Sequence, residues 1–288
     1  MRRAALPPAV RAWLEAQGYQ ATRVQPVAGG DINRAWRIHT AQGATFFLKT
    51  HPHPPPDMFA REAEGLQALR VPDGPVVPKP YVWGADFLLL EDLRPAAPGR
   101  DYWPEFGRRL ARLHEHQGPR FGFHHDNYIG LTPQPNPWTD DGYAFFARHR
   151  LGFQADLAHR RGLLSAHDRE RVIRLAERLP EWVPPQPPSL LHGDLWRGNA
   201  LTDAQGRPAL VDPAAYYGWA EADLAMTDLF GGFPSAFYAA YEATRGLTPG
   251  YRERFPLYNL YHLLNHLNLF GTGYLGGVRA ILDRFVGP

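Results

Sequence analysis

The sequence predicts a bilobal α+β fold, with a small β-rich N-terminal lobe and a larger α-helical C-terminal lobe. Three observations carry that expectation. Residues 1–92 hold several runs rich in β-branched and aromatic side chains, separated by Gly and Pro breaks. From Tyr102 onward the apolar residues recur at helical spacing instead. Between the two lies Glu91-Asp92-Leu93, at the end of an apolar run, where the lobes would join. The expected division is therefore residues 1–92, a five-stranded sheet plus one helix, and residues 93–288.

The elements follow in order. Pro7-Pro8 opens a short helix over 9–17 and Gly18 closes it. ATRVQPVAGG, INRAWRIHT and ATFFLKT read as strands, the last two joined by a turn at Gln42-Gly43. After a proline-rich break, Asp57 is the expected cap of a helix, MFAREAEGLQALR, whose Phe59, Ala63, Leu66 and Leu69 form one apolar stripe. VPKPYVWGADFLLLEDL reads as a β-hairpin. WPEFGRRLARLHEH is amphipathic, with Phe106, Leu110 and Leu113 on one face. An irregular Pro/Asn/Asp-rich segment over 121–142 precedes two helical runs, GYAFFARHRLGFQADLAHRR and DRERVIRLAERLPEW. Everything after Tyr216 reads as helix or loop, ending in the apolar YNLYHLLNHLNLFGTGYLGG. Its two histidines and three asparagines would be costly in a bilayer, which makes it a buried helix and not a membrane span.

Composition narrows the function classes. A net charge of +2 gives no nucleic-acid or membrane-surface footprint. The absence of cysteine excludes disulfides, thiolate metal sites and a cysteine nucleophile. No apolar h-region follows Arg2-Arg3, so a cytoplasmic location is expected, and a monomer is the working expectation. Neither H-E-x-x-H nor G-x-S-x-G occurs, so zinc hydrolase and serine esterase readings lack a starting point.

The chemistry concentrates in LLHGDLWRGNALTDAQGRPALVDP, residues 190–213. H-G-D-L-W-R-G-N has the spacing H-x-D-x-x-x-x-N, which in phosphoryl transfer places a base and a metal ligand on one loop. A hydroxyl nucleophile needs a carboxylate within hydrogen-bond reach, and Mg²⁺ prefers hard oxygen ligands. Asp194 would be the base and Asn199 the amide ligand. Asp212, at the end of PALVD, is placed as second ligand, in Asp-Pro-Ala where a kinase has Asp-Phe-Gly. Taken singly, each of these would equally serve as a turn cap or strand end; together at this spacing they point to phosphoryl transfer.

Lysine occurs only at Lys49 and Lys79, arginine supplying the rest of the positive charge. Lys49 ends a β-run, where a kinase holds the α- and β-phosphates. Glu62 and Glu64 are its candidate partners. Glu62 is preferred on the position of the Phe59/Leu66 stripe, leaving Glu64 solvated, unless the helix register inverts the two. Gly29, Gly30 and Asp31 lie between two strands, where a phosphate-covering loop would sit, but they form neither G-x-G-x-x-G nor a Walker A, and taken alone they read better as a plain β-turn.

With these residues in place, the chain resembles the fructosamine kinase (ketosamine-3-kinase) family, a branch of the protein-kinase-like and aminoglycoside-phosphotransferase-like folds. The segments carrying the likeness are FGFHHDNYIG, PQPNPWTDDGYAFFARHRL, LLHGDLWRGN, DPAAYYGWAEADLAMTDLFGGFP and LYNLYHLLNHLNLFG. The resemblance implies ATP- and Mg²⁺-dependent phosphorylation of the sugar 3-hydroxyl of a ketosamine, free or protein-bound, whose unstable 3-phosphate then releases the amine. It also implies roles: Lys49 and Glu62 hold phosphate, Asp194 is the base, Asn199 and Asp212 are the metal ligands, and the backbone of Glu91 and Leu93 meets adenine. Trp196 and His266 match positions lining the sugar pocket. Trp219 stands where many relatives have histidine and is expected near the acceptor, with a bearing on its preference.

Two other readings compete. A kinase of another small hydroxylated amine, such as an aminoglycoside or choline-like alcohol, would hold its polycation with carboxylates, but residues 249–288 offer only Glu253 and Asp283. A catalytically dead nucleotide-binding module would lack Lys49, Asp194 or Asp212, and all three are present.

Overall fold

A computed structural model describes residues 6–28 and 32–288. The chain first forms α1 (Pro8–Ala16), then β1 (Ala21–Val27), β2 (Arg34–Thr40) and β3 (Thr45–Thr50). α2 (Met58–Ala68) follows, then β4 (Pro80–Trp83) and β5 (Phe87–Glu91). The five strands make one antiparallel sheet in the order β1-β2-β3-β5-β4. Side chains alternate across a strand, and that period of two divides the lobe. Phe46, Leu48, Phe87 and Leu89 face α1 and close a core with Val10 and Leu14. Leu88 and Leu90 face the other way, into the core that contains Phe59, Ala63 and Leu66 of α2. The same alternation sends Lys49 to the α2 side. The sheet thus carries a helix on each face, where the expected lobe description counted one.

Asp57 departs from its expected role. It takes a left-handed conformation with φ 56°, and its side chain makes no capping hydrogen bond to α2. The entry of this helix is instead held by the C-terminal lobe, where Tyr128 Oη donates to the Pro56 carbonyl at 2.9 Å.

Beyond Leu93 the chain is mainly helical: α3 (Tyr102–Glu115), the short hairpin β6 (Asn127–Ile129) and β7 (Thr132–Gln134), α4 (Gly142–Phe146), α5 (Phe153–Arg160) and α6 (Ala166–Glu177). Short strands β8 (Ser189–Leu191), β9 (Ala200–Thr202), β10 (Pro208–Leu210) and β11 (Tyr216–Gly218) surround the polar loops. The chain ends with α7 (Ala220–Leu229), α8 (Ser235–Arg245), α9 (Tyr251–Phe270) and α10 (Leu275–Val286). β11 is a small correction to the all-helical expectation after Tyr216: it pairs antiparallel with β8 and pins the chain there. α3 and α8 touch backbone to backbone, since a Cβ on Gly107 would lie 2.1 Å from the Phe237 carbonyl oxygen. α9 is buried nearly all round, as its apolar sequence requires. None of the helices among the described residues is long and apolar enough to cross a membrane.

Between α4 and α5, residues 147–152 wind as a π-helix. That wider turn carries Arg150, which is fully buried, with its guanidinium 3.9 Å from the Tyr216 ring centroid and Nη2 donating to Asn136 Oδ1 at 2.7 Å.

Candidate active site

A cleft of about 1110 Å³ lies between the sheet and the helical lobe. Lys49, Glu62, Glu91, Leu93, Asp194, Trp196, Asn199, Asp212 and His266 all line it, although they are drawn from six separate stretches of the chain. Gly29, Gly30 and Asp31 fall outside the described residues; their neighbours Ala28, Ile32 and Asn33 line the same cleft.

Lys49 Nζ donates to Glu62 Oε1 at 2.5 Å and to Asp212 Oδ1. Burial by itself would lower the Lys49 pKa; the two carboxylates outweigh it and hold the ammonium well above its usual range. The choice of Glu62 over Glu64 agrees with this geometry. Glu64 is not merely solvated, however: it accepts from Arg61 at 2.9 Å and pairs with His125 Nδ1 at 2.8 Å, tying α2 to the other lobe.

The loop after β8 is locked from beneath. Asp223, nearly sealed from solvent on α7, accepts the amides of His192 at 2.7 Å and Gly193 at 2.9 Å. His114 reaches the same carboxylate at 3.2 Å through Nε2. Gly193 sits at φ 83°, and a Cβ there would come within 2.0 Å of the Ala214 carbonyl oxygen, so only glycine lets the loop pass this close. His192 is fully buried. Its Nε2–H donates to the Val211 carbonyl at 2.8 Å, because that oxygen can only accept, and Nδ1 takes the Asp194 amide at 3.2 Å. Burial lowers its pKa, in keeping with a neutral spacer between the two aspartate-bearing segments.

Asn199 Nδ2 donates to the Asp194 carbonyl at 2.8 Å and to Asp194 Oδ2 at 3.2 Å. This orients the Asp194 carboxylate and leaves Oδ1 of Asn199 without a hydrogen-bond partner among the described residues. Burial, then the charge of Asp212, pushes the Asp194 carboxyl up to about 7. Asp212 itself is held in the left-handed region at φ 56°, an uncommon conformation for a non-glycine residue and one imposed by its surroundings. Those surroundings are polar and buried. Gln134 Nε2 donates to the Ala214 carbonyl at 3.0 Å and Asn127 Nδ2 to that of Ala215 at 2.8 Å, fixing the chain just past Asp212.

The Asn199 oxygen and the half-exposed Asp212 carboxylate are hard donors that suit Mg²⁺. Among the described residues no group of three or more His, Asp or Glu side chains is arranged to hold a metal ion by itself.

Glu91 and Leu93 line the cleft at the end of β5 and just past it. Arg37 grips Asp92 between them with two hydrogen bonds of 2.7 and 3.1 Å. Trp196, 38% exposed, also lines the cleft and meets the Phe230 ring edge-on. His266 packs its ring 4.9 Å from Phe230 and 5.0 Å from Tyr274, and donates from Nδ1 to the His262 carbonyl at 2.8 Å.

Trp219 is a correction. It does not line the cleft: it is 3% exposed and packs among Phe121, Tyr143, Phe146 and Tyr258. β11 fixes the chain direction just before it and sends the indole into the core, so it is a packing residue. Sequence reasoning also passed over Asp223, His114, Asn127 and Gln134. The one available signal was Asp223 itself, a carboxylate inside the apolar run of α7.

Comparison with known proteins agrees with this architecture. The family model described as fructosamine kinase matches residues 9–287. A probable ketoamine kinase of Synechocystis sp. is 43% identical over 273 residues, covering 93% of this chain and 92% of that protein. A chloroplastic protein-ribulosamine 3-kinase of Oryza sativa subsp. japonica is 38% identical over 288 residues, covering 96% and 83%. A crystal structure from Thermobifida fusca, assigned as a fructosamine-3-kinase, superposes with a TM-score of 0.88 at 31% identity, covering 97% of this chain and 98% of that one. The two-lobed fold is protein-kinase-like. By sequence and by structure alike, the chain belongs to the fructosamine kinase family.

Proposed function

We propose that the protein transfers the γ-phosphoryl group of ATP to the 3-hydroxyl of a ketosamine. The observation that carries this reading is the meeting, in one cleft, of an oriented carboxylate at Asp194 with the Lys49–Glu62–Asp212 cluster. Such a constellation has a chemical use in phosphoryl transfer, where catalysis is mostly positioning and charge stabilisation.

In this reading Asp194 accepts the proton of the attacking hydroxyl on the oxygen that Asn199 leaves free. Its raised pKa makes it a better proton acceptor than a surface aspartate. Lys49, kept charged by its two carboxylate partners, takes phosphate oxygens. Asn199 and Asp212 would hold Mg²⁺, which when bound neutralises phosphate charge. The backbone of Glu91 and Leu93 receives adenine. Trp196 offers a face for the sugar, and His266, with its proton on Nδ1, presents Nε2 as an acceptor.

A kinase of polycationic aminoglycosides is not favoured. The acceptor end of the cleft carries Trp196, Phe230, His266, Phe270 and Tyr274 in place of a carboxylate cluster. The test is an ATP-consumption assay over erythrulosamines, ribulosamines and fructosamines, free and on protein, with aminoglycosides and choline as controls. Turnover confined to the controls would overturn the reading.

A further inference from the structure

We propose that Asn265 is a specificity-determining residue, donating a hydrogen bond from its side-chain amide to a hydroxyl of the acceptor sugar beside the one that is phosphorylated. This rests on the ketosamine kinase reading and names a contact within it. Asn265 is only 2% exposed, yet it lines the cleft next to His266.

The direction of its amide follows from a chain of three carboxamides. Asn268 Nδ2 donates to the Gln154 backbone carbonyl at 3.0 Å, and a carbonyl can only accept, so the orientation of Asn268 is fixed. The same nitrogen donates to Gln154 Oε1 at 2.8 Å, which fixes Gln154 in turn. Its Nε2 is left to donate to Asn265 Oδ1 at 3.3 Å. Flipping Asn265 would set two NH₂ groups against each other, and flipping all three would set an oxygen against the Gln154 carbonyl. Asn265 Nδ2 therefore points away from Gln154. It has no acceptor among the described residues, and it is not one of the orphaned atoms sealed away from the cleft.

A buried donor left without a partner is costly, so one directed into a cavity is a group awaiting an acceptor. His266 supplies the complement on the next residue, an Nε2 lone pair whose tautomer is set by the His262 carbonyl. One donor and one acceptor lining the same cleft match a polyol, in which every hydroxyl both donates and accepts. A site built to bond a hydroxyl rejects the analogue lacking it far more strongly than an apolar wall would.

The experiment compares wild type with Asn265→Ala and Asn265→Asp on the best ketosamine and on analogues deoxygenated at single positions next to the 3-hydroxyl. Both variants should lose roughly 10- to 100-fold in kcat/KM for the ketosamine, the loss expected for a buried hydrogen bond to substrate. The KM for ATP should stay within about twofold, as the nucleotide end of the cleft is untouched. Asn265→Asp keeps the acceptor for Gln154 but cannot donate, so shape alone should not rescue it. With the one deoxy analogue that lacks the contacted hydroxyl, wild type and Asn265→Ala should converge. Unchanged ketosamine kinetics in both variants, or equal losses on every analogue, would make Asn265 a packing residue. If wild type turns over no ketosamine, the functional reading falls and this proposal with it.

Discussion

Asp194 shows how a single residue's chemistry is set by position. An aspartate in an unfolded chain titrates near 4, whereas burial and the charge of Asp212 bring this one to about 7. Between those values the folded protein keeps a proton that the unfolded chain has released. Stability therefore falls as pH rises from about 4 to 7, and the deficit is complete above 7. Asp194→Asn removes the titration. In thermal melts with chelator present, the variant should gain on wild type at pH 8 and show little advantage at pH 5. The same variant should lose roughly 10²–10⁴-fold in turnover, the worth of a general base. A melting difference independent of pH would place the carboxylate's strain elsewhere, and turnover above about a third of wild type would remove it as the base.

At the scale of elements, the loop between β8 and β9 works because α7 holds it. Asp223 accepts two loop amides and a histidine in a nearly dry site, and these hydrogen bonds hold its pKa below the usual aspartate range despite burial. A depressed folded pKa means that this contribution is present above about pH 4 and is lost as pH falls through the lower, folded value. Asp223→Asn turns an NH₂ toward a backbone N–H and should cost on the order of 2–4 kcal/mol. Urea denaturation would read this as a lower midpoint at an unchanged slope. Activity should fall with it, since the amides released are those of the residues just before Asp194. A variant with wild-type stability would show that the loop stands without α7.

On the scale of the whole molecule, the cleft is assembled from both lobes, and several bonds hold the lobes together. His125 pairs with Glu64 on α2, Tyr128 donates to Pro56, and the Val76 amide donates to the Pro208 carbonyl at 2.9 Å. A ligand filling the cleft bridges the same two lobes, so Mg·ATP should stabilise the fold by mass action, about 2.7 kcal/mol at 100 times its Kd. The rise in Tm should need the metal, vanish in Asp212→Ala and shrink in Asn199→Ala. The double variant should lose less than the sum of the two, because both side chains act on one site. An unchanged Mg·ATP shift in Asp212→Ala would make that carboxylate structural.

Much of this was legible in the sequence, for identifiable reasons. The runs FFLKT and FLLLE were legible as strands, and Lys49 as the lysine ending the first; which face of the sheet each side chain takes was decided by packing against the two helices. The 59/63/66/69 stripe aimed Glu62 at the sheet, because the helical period is a property of local backbone geometry. The H-x-D-x-x-x-x-N loop placed Asp194 and Asn199 within reach of one another, since that spacing closes one short loop. Other features depended on contacts between distant segments, which no local pattern encodes. Asp223 and His114 are 109 residues apart in sequence and meet at 3.2 Å. The direction of the Asn265 amide depends on Gln154, 111 residues away. Trp219 was read toward the acceptor from its neighbourhood in sequence, and only the pairing of β11 with β8 decided that its ring turns into the core. The sequence by itself determined the periodic elements and the chemistry of one loop. Tertiary structure decided burial and hydrogen-bond partners, and with them the charge and orientation of each polar group in the cleft.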